Sequence, residues 1–425
     1  MKKVLIITYY WPPAGGPGVQ RWLKFVKYLP EFGIEPIVYI PENPTYPILD
    51  ENLSKDVSSN LTILRKKIFE PYALASVFSK KKVQKMSAGI IPNQKRQTFP
   101  EKLALWVRGN FFVPDARIYW IKPSVSYLSK YISEHDIDTV ITTGPPHSLH
   151  LIGLRLQKKL KINWVADFRD PWTTIGYQKD LKLSRFSEKK HKRLEKKVLT
   201  SADQILVTSR TTMEDFSKIT SKPIEVITNG FDEENVNPVA LDTKFSLAHI
   251  GSLLSERNPT LLWHVLSEIL QEVPGFSEHF ELKLIGTLSP EVLESIKMYG
   301  LDEYVNNPGY LPHNEAIAQQ RSSQVLLLIE INSIHTKSII PGKLFEYMVA
   351  NRPIIAIGPH GSDIAEIIEH TTTGIFIDYG GREDLKRTIL AFYESYLDGN
   401  LSVEADNLEQ YSRRNLTQKL AKILS

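Results

Sequence analysis

The chain has 425 residues, with 52 Lys and Arg against 48 Asp and Glu, for a net charge of +4 at pH 7. That length is too great for one ordinary core, and a composition 42% hydrophobic and 24% charged excludes a disordered chain. The absence of cysteine excludes a disulfide scaffold, a thiolate metal site and a cysteine nucleophile, and it suits a reducing cytoplasm.

The opening MKKVLIITYYWPP has an apolar core of only Val4 to Ile7, short of the roughly 7–15 residues of a signal peptide, and reads as a buried first strand. No run reaches the roughly 18–20 apolar residues that span a bilayer, so a soluble protein is expected. Short apolar runs then alternate with amphipathic helix-length segments, the pattern of a parallel sheet covered by helices. Strands are expected at Val4–Thr8, Pro36–Ile40, Thr139–Thr142, Trp164–Ala166, Gln204–Val207 and Glu225–Ile227. Residues 41–121 break this rhythm with seven prolines and read as an insertion. Between Lys80 and Lys122 ten Lys or Arg face only Glu101 and Asp115, a local charge of +8, interleaved with Phe99, Trp106, Phe111, Phe112, Tyr119 and Trp120. Basic and aromatic residues together attract an anionic membrane surface, and they also compose an ordinary amphipathic helix pair.

Residues 228–244, TNGFDEENVNPVALDTK, form a linker. The rhythm then restarts with strands at Phe245–Ile250, Glu281–Ile285, Val325–Ile329, Pro353–Ile357 and Gly374–Ile377, with helices between. The expected architecture is α/β, two doubly wound Rossmann-like domains facing across a cleft. Residues 1–232 form the first and 244–400 the second, and 401–425 close the chain with a helix.

In doubly wound sheets ligands bind beyond the carboxyl ends of the strands. After the first strand, Gly15, Gly16 and Gly18 permit close approach to an anion at a helix start. Arg21 stands where the dinucleotide fingerprint needs its last glycine, which weakens a nicotinamide reading. In the second domain Gly251 and Ser252 turn the chain after its first strand, and Arg257 precedes a helix. Lys343 and Glu346 open another helix in SIIPGKLFEYMVANRPIIAIG. Two cations for a diphosphate and a carboxylate for vicinal hydroxyls read as a nucleotide-sugar site.

The segments GGPGVQRW, TTGPPHSLHLIG, VADFRDPW, TNGFD, HIGSLLSERNP, LIG (284–286) and IIPGKLFEYMVANRPI, in this order, resemble the retaining family-four glycosyltransferases of the GT-B fold, over nearly the whole chain. The resemblance implies transfer from a UDP- or GDP-sugar, by a hexosyltransferase-type enzyme, to a hydroxyl of a glycan or lipid-linked acceptor, in cell-envelope polysaccharide or lipopolysaccharide synthesis. It implies a donor held mainly by the second domain, with Gly16, Gly251, Ser252, Arg257, Pro341, Gly342, Lys343, Leu344 and Glu346 as donor-binding residues. The acceptor would be held by the first domain, and the last helix would cross back onto that domain. His147, Asp167 and Glu346 are the implied catalytic residues, with Asn229 and Gly230 as hinge or nucleotide contacts. No cofactor and no obligatory metal are implied, and no nucleic acid partner is expected.

The chain departs from the family where Ser338 replaces the first of two glutamates and where Ser252 replaces an arginine. Arg169 with Asp170 reads as an internal ion pair. Two rival readings share the fold: a sugar-nucleotide epimerase or hydrolase, and a sugar-nucleotide-binding relative impaired in catalysis. The expected location is the cytoplasm, peripheral to the inner membrane face through residues 80–122.

Overall fold

The computed structural model describes residues 1–70, 99–174, 181–232 and 239–425. It divides into two compact units, Met1–Asn229 with Arg413–Ser425, and Gly230–Ser412.

The first unit is built on a parallel sheet of β1 (Lys2–Ile7), β2 (Ile34–Pro41), β3 (Thr62–Lys66), β4 (Thr139–Gly144), β5 (Asn163–Phe168), β6 (Gln204–Val207) and β7 (Ile224–Val226), in the order 3-2-1-4-5-6-7. Successive side chains on each strand enter opposite faces. Leu5, Ile7, Val140, Ala166 and Ile205 join one core, while Val4, Ile6, Ile141, Val165 and Leu206 join the other. Burial on both faces is why these strands read as unbroken apolar runs. Trp22, Leu23, Phe25 and Val26, from the helix Pro17–Tyr28, cover the second face together with Leu416, Leu420 and Leu424 of the last helix.

Several boundaries differ from the sequence reading. Residues 41–70 are not all insertion, because Thr62–Lys66 pairs in parallel with β2 as an edge strand. A half-exposed edge strand lacks the unbroken apolar run that marks the central ones. Trp120 and Arg117, counted in the basic-aromatic stretch, belong to the interior. Trp120 stacks on Tyr39 at 4.9 Å, and Arg117 pairs with Glu70 at 3.1 Å. Residues 80–98 of that stretch lie outside the described residues, as do 233–238 of the linker. The last helix starts at Arg413, not at 401, because the apolar i, i+4, i+8 stripe begins only at Leu416.

The second unit carries β8 (Phe245–Ile250), β9 (Phe280–Ile285), β10 (Val305–Gly309), β11 (Val325–Ile329), β12 (Ile354–Gly358) and β13 (Gly374–Asp378), ordered 10-9-8-11-12-13 and again parallel. The edge strand β10, VNNPG, has one apolar side chain and a proline, so no periodicity announces it. In each sheet the strand order reverses once, between β1 and β4 and between β8 and β11. Such a reversal splays the flanking loops apart and opens a crevice at the carboxyl ends of the two strands.

Candidate functional site

In the second unit the crevice lies beyond Ile250 and Ile329. Gly251, with φ of 132°, turns the chain away from β8, and a side chain at Gly286 would come within 2.7 Å of Gly251 O. Both positions therefore require glycine. A side chain at Gly251 would meet Lys343 Nζ at 2.6 Å, so the ammonium lies directly over this turn. Lys343 is carried by the helix Gly342–Met348, which begins after Pro341. Leu344, Phe345, Tyr347 and Met348 of this helix are buried, while Lys343 and Glu346 share its opposite side. Tyr347 fastens the helix to β8, its hydroxyl accepting from Ile250 N at 2.9 Å.

Burial pushes the Lys343 ammonium down to about 8, an effect reinforced by the like charge of Arg257 and opposed by Glu330 and Glu346. Arg257, from the turn Ser255–Arg257, lies 3.7 Å from Glu330. Glu330 directly follows β11 and is 3% exposed, and its burial raises its pKa against the two cations. His249 is buried at the end of β8 with Nδ1 3.0 Å from Leu327 O, and burial keeps its imidazole neutral. Glu346 accepts a hydrogen bond from Gln320 Nε2 at 3.1 Å. Two cations and two carboxylates from separate strands, turns and a helix thus converge on one strand end. That arrangement suits a diphosphate with a polyhydroxyl group beside it.

In the first unit His147 lies in the β4 crevice, immediately before the helix Ser148–Leu160. Asp115 fixes this corner, accepting from Ser148 N and Ser148 Oγ, both at 2.8 Å. His147 is 5% exposed and stacks on Trp172 with ring centroids 4.8 Å apart. Neither of its ring nitrogens has a hydrogen-bond partner among the described residues. Burial holds its pKa well below the usual histidine value, so it is neutral at pH 7.

Asp167 is engaged on both carboxylate oxygens. It is fully buried and accepts from Arg21 Nη2 at 2.9 Å, Trp22 Nε1 at 2.8 Å and Thr143 Oγ1 at 2.8 Å. Arg21 also donates to Ile227 O and Thr228 O, at the residues leading to the unit boundary. A side chain at Gly18 would strike Arg169, whose guanidinium pairs with Asp170 at 2.9 Å. GGPGVQRW and VADFRDPW are therefore two halves of one interlock. Three donors occupy the oxygens of Asp167, which the motif had placed among the catalytic residues, and this bonding suits a structural role.

Leu344, expected among the donor-binding residues, faces inward. Its side chain is in the core, and its N–H donates to Pro341 O at 3.1 Å. Gly251, Arg257, Lys343 and Glu346 come together at β8 and β11, with exposed Ser252 and half-buried Pro341 and Gly342 at the rim. Gly16, with φ of 103°, lies in the other unit at the start of the helix Pro17–Tyr28. Asn229 and Gly230 fall on the boundary between units. The group the sequence reading missed is Glu330. Its signal was an acid placed directly after the apolar run VLLLI, at a strand's carboxyl end.

Residues 90–235 match the family model described as Glycosyltransferase Family 4, and residues 244–395 match that described as Glycosyl transferases group 1. No curated protein matches the sequence. Among solved structures, the chain is similar to Anabaena Alr3699/HepE in complex with UDP, with 14% identity and a TM-score of 0.61 over 100% of this chain and 99% of that one. It is also similar to the lipopolysaccharide outer core galactosyltransferase WaaB, with 15% identity and a TM-score of 0.60 over 100% and 99%. A sucrose-phosphate synthase from Thermosynechococcus elongatus has 12% identity and a TM-score of 0.60 over 100% and 98%. At these identities the structural likeness establishes the shared fold.

Proposed function

Because the chain carries two glycosyltransferase family domains on the GT-B fold, we propose that it uses a nucleotide-sugar donor, that its second unit holds a UDP- or GDP-sugar, and that the sugar passes, with retention, to a hydroxyl of a glycan or lipid-linked acceptor in envelope polysaccharide synthesis. The observation that carries the reading is the convergence of Arg257 and Lys343 at the β8–β11 crevice, with Glu346 on the same helix as Lys343. The cations stabilise the charge that grows on the departing diphosphate. Glu346 accepts hydrogen bonds from sugar hydroxyls, and the neutral His147, with both ring nitrogens unpartnered among the described residues, is suited to bind a sugar hydroxyl. The neighbours' printed descriptions, a UDP complex of HepE and the lipopolysaccharide galactosyltransferase WaaB, support a uridine donor and an envelope glycan product.

A thermal-shift panel of UDP, GDP, ADP, dTDP and CMP tests the donor assignment. One uridine or guanosine nucleotide is expected to stabilise the protein in a way that Lys343→Ala abolishes. A shift retained in that variant would move the donor site elsewhere. Sugar release followed with and without acceptor then separates transfer from hydrolysis or epimerisation.

The first unit offers a surface for a lipid-linked acceptor. On the helix Phe99–Phe111, Leu103, Trp106 and Phe111 are 50%, 41% and 68% exposed, with Arg108 on the same helix. No helix among the described residues is long and apolar enough to cross a membrane, so contact would be at the interface. Co-sedimentation with vesicles rich in anionic lipid is expected for the wild type and weakened by Trp106→Ser with Phe111→Ser. Equal sedimentation of both proteins would remove this surface from the reading.

A further inference from the structure

Glu330 puts a carboxylate beside the two cations assigned to the diphosphate. It is 3% exposed, 3.7 Å from Arg257 Nη2, and its Oε1 has no hydrogen-bond partner among the described residues. Its backbone is tied on both sides. Glu330 N donates to Ile357 O at 2.8 Å, and Glu330 O accepts from Tyr379 Oη at 2.7 Å. These bonds hold the Glu330 main chain in place at the strand end.

Among the described residues the charged groups acting on it are Arg257 in its turn and Lys343 on the helix Gly342–Met348, Tyr379 after β13 lies beside it, and His249 on β8 and Glu346 on that helix act on the same cations. His249 is kept neutral by burial, Glu346 is engaged by Gln320, and burial pushes the Tyr379 hydroxyl up to about 12. Burial thus raises the Glu330 pKa toward the acid form, and Arg257 and Lys343 oppose it.

From this geometry we propose that Glu330 competes with the donor's diphosphate for Arg257 and Lys343, and that its carboxylate takes up one proton from solvent as the diphosphate binds. The inference rests on reading those two cations as the diphosphate site. The phosphates draw the cations toward themselves and add negative charge beside the carboxylate, and both effects favour its protonated form. One proton enters from water, and no bond in the sugar nucleotide breaks. Donor affinity then rises as pH falls, by up to about tenfold per pH unit between the midpoints of the free and the donor-bound carboxyl.

Calorimetry in two buffers of different ionisation enthalpy counts the protons. The probes are UDP-glucose, GDP-mannose, ADP-glucose and dTDP-glucose. Their phosphates are diesters that do not titrate near neutrality, unlike a terminal phosphate with a second pKa of about 6. At about pH 6.5 Lys343, with its pKa of about 8, is already charged and contributes no uptake. The wild type is expected to take up about one proton per donor bound. Glu330→Gln, of the same shape, is expected to take up none at that pH and to bind about tenfold more tightly, with a pH profile that stays flat until the Lys343 ammonium begins to titrate. Wild-type binding without uptake, or uptake that persists in Glu330→Gln, overturns the inference and leaves the donor assignment standing. Failure of all four sugar nucleotides to bind overturns both. If Glu330→Gln does not fold, the wild-type measurement in the two buffers decides by itself.

Discussion

Lys343→Ala is expected to lower sugar transfer by at least ~10²-fold, the usual loss when one charge-stabilising donor is removed from a reacting oxyanion. The ammonium lies over the Gly251 turn at the end of β8, where the leaving diphosphate is assigned. The fold itself does not need this charge. The folded-state pKa of about 8 lies below the ordinary lysine value of roughly 10.4, so the charged form is held less well in the folded chain than in the unfolded one. That penalty is complete below about pH 8 and disappears above roughly pH 10.4, so at neutral pH the alanine variant is expected to melt no lower than wild type. Donor binding has the opposite dependence. A diphosphate prefers the protonated lysine, so wild-type affinity is expected to fall as pH rises past about 8. Lys343→Arg, with a side chain that stays charged, removes this alkaline fall. Nucleotide-induced melting shifts measured across pH, beside transfer rates, check all three outcomes. Full activity in Lys343→Ala would remove the residue from the donor site.

Asp167→Ala is expected to act on stability. It would strand the Arg21 guanidinium in the interior and leave Trp22 Nε1 and Thr143 Oγ1 without their acceptor. Breaking a buried ion pair from one side costs about 3–5 kcal/mol. For a unit of this size that is a fall in melting temperature of roughly 10 °C. Donor binding by the second unit is expected to persist below the new melting point. An Asp167→Ala protein that melts like wild type yet transfers no sugar would return Asp167 to the catalytic residues. Thermal denaturation of the variant, followed by nucleotide binding below its midpoint, makes the distinction.

The contrast between Asp167 and Glu330 shows where sequence reading reaches its limit. Both are acids at the carboxyl ends of buried strands, and the first stood inside a recognisable motif. The motif pointed to Asp167, but Arg21 and Trp22, about 145 residues earlier in the chain, occupy it. Glu330 belongs to no quoted motif, and its partners Arg257 and Lys343 come from segments on either side of it. Leu344 shows the same limit at closer range, since adjacent residues on one short helix point to the core and to the crevice in turn. The edge strands β3 and β10 escaped notice because exposed or proline-bearing strands lack the apolar run that two covered faces impose.

Local chemistry is what the sequence determined by itself. The alternation of apolar runs with amphipathic helices set two parallel α/β units, because a strand covered on both faces has to be apolar throughout. The glycine turn at residue 251 and the pairing of Lys343 with Glu346 at one helix start were equally legible, because backbone conformation and helical spacing are short-range properties. The tertiary structure alone decided which charges meet. The burial that holds Lys343 near 8, the three donors that occupy Asp167 and the two cations beside Glu330 all depend on strand order and on distances between segments far apart in the chain. Electrostatic character follows from burial and from partners across the fold, and no local pattern of residues encodes either.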